Sequence, residues 1–267
     1  MFKTIRTITN KIRCYRDANV YIYQMGKVGS TSLEESIDGA VHMHTLYGNS
    51  ECYVRKKQID SDKNWLYRLF RKLFEFVIRC VIRSKEKVKI ISIVRLSTDR
   101  NVSMFFQRLP YWYCDYLNNN NDGKISRASG SQIIYNSFNI AFDHEYALNW
   151  LDEELSRFTG IDFYTSIFPV EQGYELYDKD NFSVLLIRMD KIDECYSKGV
   201  ISTFLGQDFE MKRSNESEGK WYSEVLNKFI AEYEFPADLM DRLLTSKLST
   251  HFYKQAEIEK NRMKWSK

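Results

Sequence analysis

The sequence predicts an α/β fold, a P-loop-like three-layer arrangement with a central, mostly parallel sheet flanked by helices. Short β-prone runs at Val20–Met25 and Lys89–Val94 each lead into a polar turn and then a helical pattern. Strands that alternate with helices favour a parallel sheet. The chain has 267 residues, 43% of them hydrophobic, and only three prolines. We therefore expect a single domain over residues 1–267 with a sizeable core.

The other elements are predicted from periodicity and turn residues. Helices are predicted from about Thr31, over Asn64–Lys85, from about Asn101, and over Trp150–Thr159, Phe229–Lys247 and His251–Trp265. Further strands are predicted at Ile161–Tyr164 and Ser183–Ile187. The Asn-, Gly- and Ser-rich stretch Asn118–Gly130 is predicted to be a loop.

Charge and cysteine content exclude several functional classes. With 39 basic and 36 acidic residues, the chain has no global field of the kind that a general nucleic-acid binder uses, so no nucleic-acid partner is expected. The five cysteines are scattered, without metal-ligand spacing, which disfavours a disulfide framework or a zinc site. Free cysteines and the absence of a secretory signal pattern predict a cytoplasmic location.

A turn that suits an anion follows the first predicted strand. Gly26 and Gly29 permit a tight turn, and the hydroxyl residues Ser30–Ser32 open the next helix. Free amides at the helix start, the hydroxyls and the Lys27 ammonium would converge on a phosphate or phosphosulfate. The order differs from the nucleoside-triphosphatase loop, in which lysine follows the last glycine. A simple helix cap is the competing interpretation.

A second anion-binding pair follows the other predicted strand. Arg95 comes directly after Val94, and Ser103 follows eight residues later. A guanidinium can grip a phosphate by two parallel hydrogen bonds, and a hydroxyl one or two helical turns onward can reach the same oxygens. Because ligands gather at the carboxyl ends of strands in an open parallel sheet, we expect this pair and the Lys27 turn to lie at one edge.

These segments resemble the sulfotransferases that use 3′-phosphoadenosine 5′-phosphosulfate (PAPS). The resemblance implies that Arg95 and Ser103 hold the 3′-phosphate and that no metal is needed. It also implies a 5′-phosphosulfate site made of Lys27, Val28, Gly29, Ser30, Thr31 and Ser32. Lys27 would in addition balance charge on the departing phosphate during catalysis.

Within this superfamily the resemblance is closest to the bacterial capsular polysaccharide synthesis family named NKWYS after a short motif. Gly219 stands where that motif has asparagine. The resemblance implies transfer of a sulfuryl group from PAPS to a hydroxyl of a glycan or capsular polysaccharide precursor. The segments that carry it are Lys27–Ser32, Val94–Gln107, Trp150–Asp162, and Glu218–Ser223 followed by His251–Tyr253.

Sulfuryl transfer needs a base for the acceptor hydroxyl, and histidine titrates near neutral pH. The pair His42 and His44 resembles the histidine-x-histidine segment that follows the same turn in glycan uronyl 2-sulfotransferases, where the second histidine is the base. This similarity favours His44. We expect His42 to point to the opposite face of an extended segment, so that the two do not serve equally. The alternatives are a purely structural role for the pair, or another base from among Glu34, Glu35, His144 and His251.

A late basic segment is predicted to close over the nucleotide, as a basic loop does in related sulfotransferases. The match is by position and not by motif, so a solvated surface loop is equally compatible. Arg188 follows the predicted Ser183–Ile187 strand, and we expect a structural role for it. The residues proposed for the closing segment are Lys212, Arg213, Asn215 and Lys220, beside Trp221 and Tyr222.

Other readings of the chain stay open. A P-loop kinase for a small molecule would need magnesium and an acidic residue at a strand end, where this chain has Arg95. A non-catalytic capsule-assembly protein on a nucleotide-binding scaffold would depend instead on Lys63–Lys89, which carries nine basic and two acidic residues among apolar ones. That segment is either a peripheral contact with the inner face of the membrane or a helix packed on its own core.

Overall fold

The computed structural model describes residues 2–29, 31–48, 65–120, 130–212 and 219–266. The chain divides into two compact units, each built from two stretches of sequence. The first comprises Met1–Arg95 and Asn149–Asn215, and the second comprises Leu96–Leu148 and Glu216–Lys267. Whether these units form the single domain expected over residues 1–267 stays a prediction.

Within the described residues of the first unit, five strands form one sheet. They are β1 (Val20–Tyr23), β2 (Ala40–Met43), β3 (Val88–Val94), β4 (Tyr174–Lys179) and β5 (Phe182–Arg188). Their spatial order is β2-β1-β3-β5-β4, and only β4 is antiparallel to its neighbour. Every residue of β1 and β5 is buried, as expected for strands covered on both faces. The predicted α/β class with a mostly parallel sheet flanked by helices is confirmed.

Helices surround this sheet in the first unit and make up the second. The first unit contains α1 (Phe2–Asp17), α2 (Thr31–Ser36), α3 (Trp65–Arg83), α8 (Ile192–Ser197) and α9 (Val200–Leu205). The second contains α4 (Ser97–Gln107), α5 (Leu109–Asn120), α6 (Gly130–Asn136) with a π-helical turn at Ser137–Ala141, α10 (Ser223–Glu232), α11 (Ala237–Leu244), α12 (Lys247–Phe252) and α13 (Gln255–Trp265). Helix α7 (Tyr146–Trp150) continues through a π-helical segment, Leu151–Ser156, to Arg157–Thr159.

An aromatic core holds the second unit together. Phe138 is fully buried and lies 5.1 Å from the ring of Phe105 and 5.5 Å from that of Phe229, both edge to face. Phe229 in turn stacks on Tyr233 at 4.2 Å. Such pairs add about 0.5–1.5 kcal/mol each beyond the area they bury. These aromatic residues are therefore core material of the second unit.

Three predicted elements are wrong in detail. Ile161–Tyr164 is a turn and not a strand, because Gly160 at φ 74° ends the preceding helix and Asp162 Oδ1 accepts a hydrogen bond from the Tyr164 amide at 3.0 Å. The helix predicted over Phe229–Lys247 is interrupted after Glu232, since Pro236 cannot continue a helical ladder. The helix predicted over His251–Trp265 breaks between Phe252 and Gln255.

The remaining boundaries shift or lie outside what the structure describes. Helix α4 begins at Ser97, four residues before the predicted Asn101, and α5 extends to Asn120, into the predicted Asn118–Gly130 loop. The rest of that loop prediction, residues 121–129, falls outside the described residues. Strands β2 and β4 were not predicted. Helix α3 and strands β1, β3 and β5 lie within two residues of their predicted bounds.

Candidate functional site

Of the two glycines in the turn after β1, only Gly29 adopts a left-handed backbone conformation, and the second left-handed residue is Lys27. Lys27 is at φ 68° and Gly29 at φ 89°, both in the left-handed region. A Cβ on Gly29 would lie 3.5 Å from the Met189 side chain, which is an ordinary contact, so the glycine is required for its backbone angle and not for space. Val28 is fully buried, and Lys27 is half-buried. The turn is thus anchored by Val28, while Lys27 stays partly exposed.

The structure describes only part of the hydroxyl residues of the turn. Ser30 and the side chain of Thr31 lie outside the described part of the chain. Ser32 lies in α2, where its carbonyl accepts a hydrogen bond from the Ser36 hydroxyl. Because α2 spans only six residues, its dipole is a weaker source of anion affinity than the sequence suggested. Lys27 and the turn amides would carry more of that task.

Arg95 contacts the turn directly. It follows β3, the neighbour of β1, and its Nη1 donates a hydrogen bond to the Lys27 carbonyl at 2.9 Å. One of the five guanidinium donors is therefore used to hold the turn. Ser103 lies in α4 of the second unit, whereas Arg95 lies in the first, so their joint role at a 3′-phosphate stays a prediction.

His44 is fixed at the end of β2. Its Nδ1 lies 2.9 Å from the Gln24 carbonyl oxygen, and the Trp150 indole donates to the His44 carbonyl at 2.8 Å. A carbonyl can only accept, so the Nδ1 of His44 carries a hydrogen, and in the neutral ring Nε2 holds the basic lone pair. The ends of three adjacent strands thus bring His44, the Lys27 turn and Arg95 to one edge of the sheet. The sequence placed the Lys27 turn and Arg95 at this edge but not His44.

The expectation that His42 and His44 point to opposite faces is wrong. Side chains two positions apart in an extended segment share a face, and the two rings are 4.3 Å apart, edge to face. His42 Nδ1 lies 2.7 Å from Glu34 Oε2. Burial and the neighbouring His44 lower the pKa of His42, against the opposing effect of Glu34. The imidazole of His42 therefore favours its own uncharged form next to His44, and it is hydrogen-bonded to the carboxylate of Glu34.

Glu154 was missed by the sequence analysis. It is fully buried, and its carboxylate accepts hydrogen bonds from the Thr45 hydroxyl at 2.8 Å, the Leu46 amide at 2.7 Å and the Tyr23 hydroxyl. Burial raises the pKa of this carboxyl, while those bonds act in the opposite direction. Glu154 therefore ties the segment after His44 to β1. The available signal was a glutamate between Leu151 and Leu155, on the apolar stripe of a helix.

Gln24 is a second residue that the sequence analysis missed. Its side chain is fully buried, and among the described residues neither Nε2 nor Oε1 of its amide has a hydrogen-bond partner. An unsatisfied buried polar group costs about 1–3 kcal/mol, so this amide is an energetically costly feature just after β1.

The late basic segment is placed only in part. The Lys212 amide donates to the Ser36 hydroxyl at 2.7 Å, which sets this end of the segment against α2. Arg213 and Asn215 lie outside the described residues, and Lys220 is half-buried in the second unit. Arg188 is buried and pairs with Asp190 through two hydrogen bonds of 3.0 and 2.6 Å, which supports the predicted structural role.

Neither a metal cluster nor a membrane span is found in the part of the chain that the structure describes. No group of three or more His, Cys, Asp or Glu residues there could hold a metal ion. No helix there is long and apolar enough to cross a bilayer. The expectation that catalysis needs no metal stays a prediction.

One family model matches part of the chain. The NKWYS model, described as "Putative capsular polysaccharide synthesis protein", matches residues 122–254, just under half of the 267 residues. Over these residues the chain is similar to the NKWYS family. No curated protein and no solved structure matches. The matched segment includes Glu154 and Lys220 but begins after Lys27, His44 and Arg95, so the site at the strand ends rests on its own geometry.

Proposed function

We propose that this protein is a PAPS-dependent sulfotransferase that acts on a hydroxyl of a glycan or capsular polysaccharide precursor. The observation that carries the proposal is the meeting of three strand ends. The Lys27 turn is bonded to Arg95 at 2.9 Å, and the carbonyl of Gln24, three residues before Lys27, is bonded to His44 at 2.9 Å. An anion-binding turn, a guanidinium and a candidate base are thereby held in one connected group.

The described residues fit the phosphosulfate end of PAPS. The left-handed backbone at Lys27 and Gly29 is a conformation in which successive amides can face one anion. The Lys27 ammonium supplies a positive charge. Arg95 would add guanidinium donors to a phosphate, in competition with its bond to the turn.

The proposed reaction needs a base and charge compensation. When bound, PAPS supplies a sulfuryl group on a good leaving phosphate. The acceptor oxygen forms a bond to sulfur as the bond between sulfur and the phosphate oxygen breaks, and the acceptor's proton passes to Nε2 of His44. Lys27 offsets the charge that grows on the departing phosphate. The bond from Nδ1 to Gln24 keeps the basic nitrogen of His44 in one tautomer.

The capsular acceptor is proposed from the family similarity. The matched family is described by a role in capsular polysaccharide synthesis, and a sulfuryl transferase for a sugar hydroxyl would fit that role. The matched residues 122–254 do not include the strand-end site, which consists of the Lys27 turn, Arg95 and His44. The cofactor and the acceptor must therefore be tested separately.

Calorimetric titration with 3′-phosphoadenosine 5′-phosphate, beside ATP with magnesium, tests the proposal. We expect binding of the 3′-phosphorylated nucleotide and a loss of about 10- to 100-fold in Lys27→Ala and in Arg95→Ala, the size of one hydrogen bond to a charged group. Lys87→Ala removes an exposed cation of the same unit that lies before β3, away from the strand ends, and should leave affinity unchanged. A preference for magnesium-ATP would favour the kinase alternative, and no nucleotide binding would favour the scaffold.

A further inference from the structure

The outer face of α3 exposes an apolar surface that the described residues of its own unit leave uncovered. Five large side chains of this helix have 49–61% of their surface exposed. In the described residues of the first unit, only Ile167 and Leu176 are other large hydrophobic side chains exposed to this degree. We call the five the α3 outer face: Trp65, Leu69, Phe70, Leu73 and Phe76.

The opposite side of α3 already anchors the helix. Ile78 and Ile82 are buried, and the Arg71 guanidinium donates to the Gly48 carbonyl at 3.1 Å. Helix α3 is therefore held against the core by side chains other than the five of the α3 outer face. The alternative in which this helix only packs on its own core is therefore wrong in part. The five side chains of the α3 outer face are exposed to solvent and do not contribute to that core.

Charge is concentrated beside the α3 outer face. Helix α1 packs against α3, with Lys11 Nζ 5.7 Å from the ring centre of Phe74. Together the two helices carry ten basic and two acidic residues, whereas the whole chain has a net charge of only +3, so the rest of the chain is net acidic. Both acids are neutralised locally, Asp17 by Arg16 at 2.8 Å and Glu75 by Arg71 at 2.9 Å.

We propose that α1 and α3 together dock on an anionic lipid bilayer, with the α3 outer face inserted at the boundary between headgroups and acyl chains. Aromatic and leucine side chains flanked by lysine and arginine are typical of helices that lie in this interface. Long basic side chains can extend to anionic headgroups while their stems cover apolar surface. A second copy of the chain is a poor occupant, because it would place two strongly basic surfaces together.

Docking in this way would bring the bilayer near the strand-end site. Arg79 of α3 donates to the Leu46 carbonyl, two residues after His44, and lies 4.4 Å from the ring centre of Tyr47. The segment that follows His44 therefore rests on the inner side of the helix whose outer side meets lipid. The separation is of the order of one helix diameter, about 10 Å. Bilayer binding itself does not depend on the proposed sulfotransferase activity.

Vesicle flotation with the full chain tests this inference. We expect binding to vesicles of phosphatidylcholine mixed with an equal part of phosphatidylglycerol, little binding to phosphatidylcholine alone, and release by salt. The double variant Leu73→Glu, Phe76→Glu should lose at least about tenfold in partitioning, since it places charge at the apolar boundary. Lys72→Ala should lose about fivefold, from about 1 kcal/mol per basic residue.

A matched control separates this surface from general hydrophobicity. The double variant Ile167→Glu, Leu176→Glu changes two exposed apolar residues of the same unit that lie outside α3, and it should bind vesicles like the wild type. Equal loss in this control, equal binding to neutral vesicles, or no binding by the wild type would overturn the inference. A dimer that the Leu73→Glu, Phe76→Glu variant dissociates would show self-association instead and also overturn it.

The two proposals can fail independently. The Leu73→Glu, Phe76→Glu variant should melt near the wild-type temperature, because both side chains are more than half exposed. It should also bind 3′-phosphoadenosine 5′-phosphate like the wild type, since neither residue belongs to the strand-end site. Nucleotide binding without vesicle binding would overturn only the docking, and the reverse would overturn only the sulfotransferase.

Discussion

His44 of the first unit and His144 of the second each bind a backbone carbonyl through one ring nitrogen. His44 Nδ1 lies 2.9 Å from Gln24 O, and His144 Nε2 lies 2.8 Å from Phe138 O. They differ in their surroundings. His44 is half-buried at a strand end, whereas His144 is buried, with a second contact of 3.4 Å to the amide of Asn101.

The difference shows that burial separates two histidines with similar carbonyl contacts. Both ring nitrogens of His144 are engaged, and burial lowers its pKa to about 4, so it stays neutral at pH 7 as an internal hydrogen-bonding group. His44 keeps a defined tautomer while remaining near solvent, which is what a general base requires. The predictions below test this contrast, from the largest expected effect to the smallest.

Replacing the candidate base should have the largest effect. We expect His44→Gln to lower sulfuryl transfer from labelled PAPS to a capsular glycan preparation by about 10²- to 10⁴-fold, the usual contribution of a general base. Affinity for 3′-phosphoadenosine 5′-phosphate should change little. His144→Gln should retain transfer within about tenfold of wild type when folded, since a positioned base gives far more than that. Full activity in His44→Gln would remove it from the mechanism.

Removing the Glu154 carboxylate should destabilise the first unit. Glu154→Ala leaves the Tyr23 hydroxyl, the Thr45 hydroxyl and the Leu46 amide without their acceptor. We expect the free energy of unfolding in urea to fall by at least about 3 kcal/mol, since each of the three polar groups left without a partner costs at least about 1 kcal/mol.

Two other substitutions provide a scale for that loss of stability. Glu154→Gln keeps one acceptor oxygen and should cost about 1–2 kcal/mol. Glu153→Ala, an exposed glutamate one residue earlier, should change stability by no more than about 0.5 kcal/mol. An equal loss in Glu153→Ala would mean that the π-helical segment Leu151–Ser156, and not the buried carboxylate, determines the result.

Acid should reveal the burial of His144. Its folded pKa of about 4 lies below the usual 6.5, so the unfolded state takes up the proton first as pH falls. The stability that comes from keeping His144 neutral is fully present above about pH 6.5. It is lost as pH falls toward 4, by up to about 3 kcal/mol. The free energy of unfolding, measured from about pH 6.5 to about pH 4, should fall with pH in the wild type and fall less in His144→Gln. An equal fall in both proteins would show that other groups cause it.

The smallest effect concerns the turn. Gly29→Ala should cost about 1–2 kcal/mol of stability, because alanine tolerates φ 89° poorly. It should also weaken 3′-phosphoadenosine 5′-phosphate binding. Gly199→Ala is the matched control, since Gly199 has φ 69° and open space around it. It should cost similar stability and leave nucleotide affinity intact. Equal affinity in both variants would separate the turn from the nucleotide site.

The sequence predicted the central strands but not the outer ones. Strands β1, β3 and β5 are continuous apolar runs bounded by polar turns, a pattern that buried parallel strands require. Strand β2 has only four residues, one of them His42. Strand β4 is a largely exposed edge, turned by Asp180 at φ 54°. Short or amphipathic edge strands carry too little periodic signal to be separated from loops.

The candidate site was also predicted in part. Lys27 and Arg95 each follow a predicted strand, and that position indicates a shared edge, whereas the strand that precedes His44 was not predicted. Glu154 and Gln24 were missed because polar residues within apolar patterns read as surface positions, and only tertiary packing shows that both are buried. The relation of Ser103 to Arg95 depends on how two units are arranged, which strand and helix patterns do not encode.

The most direct test of the central claim is the affinity ratio between 3′-phosphoadenosine 5′-phosphate and adenosine 5′-phosphate, measured by calorimetry in the wild type, Lys27→Ala and Arg95→Ala. We predict a wild-type preference of at least about tenfold for the 3′-phosphorylated nucleotide, the size of one charge-assisted contact. Arg95→Ala should abolish this preference, whereas Lys27→Ala should weaken both nucleotides alike. A wild-type ratio near one, or a preference that survives Arg95→Ala, would contradict the account.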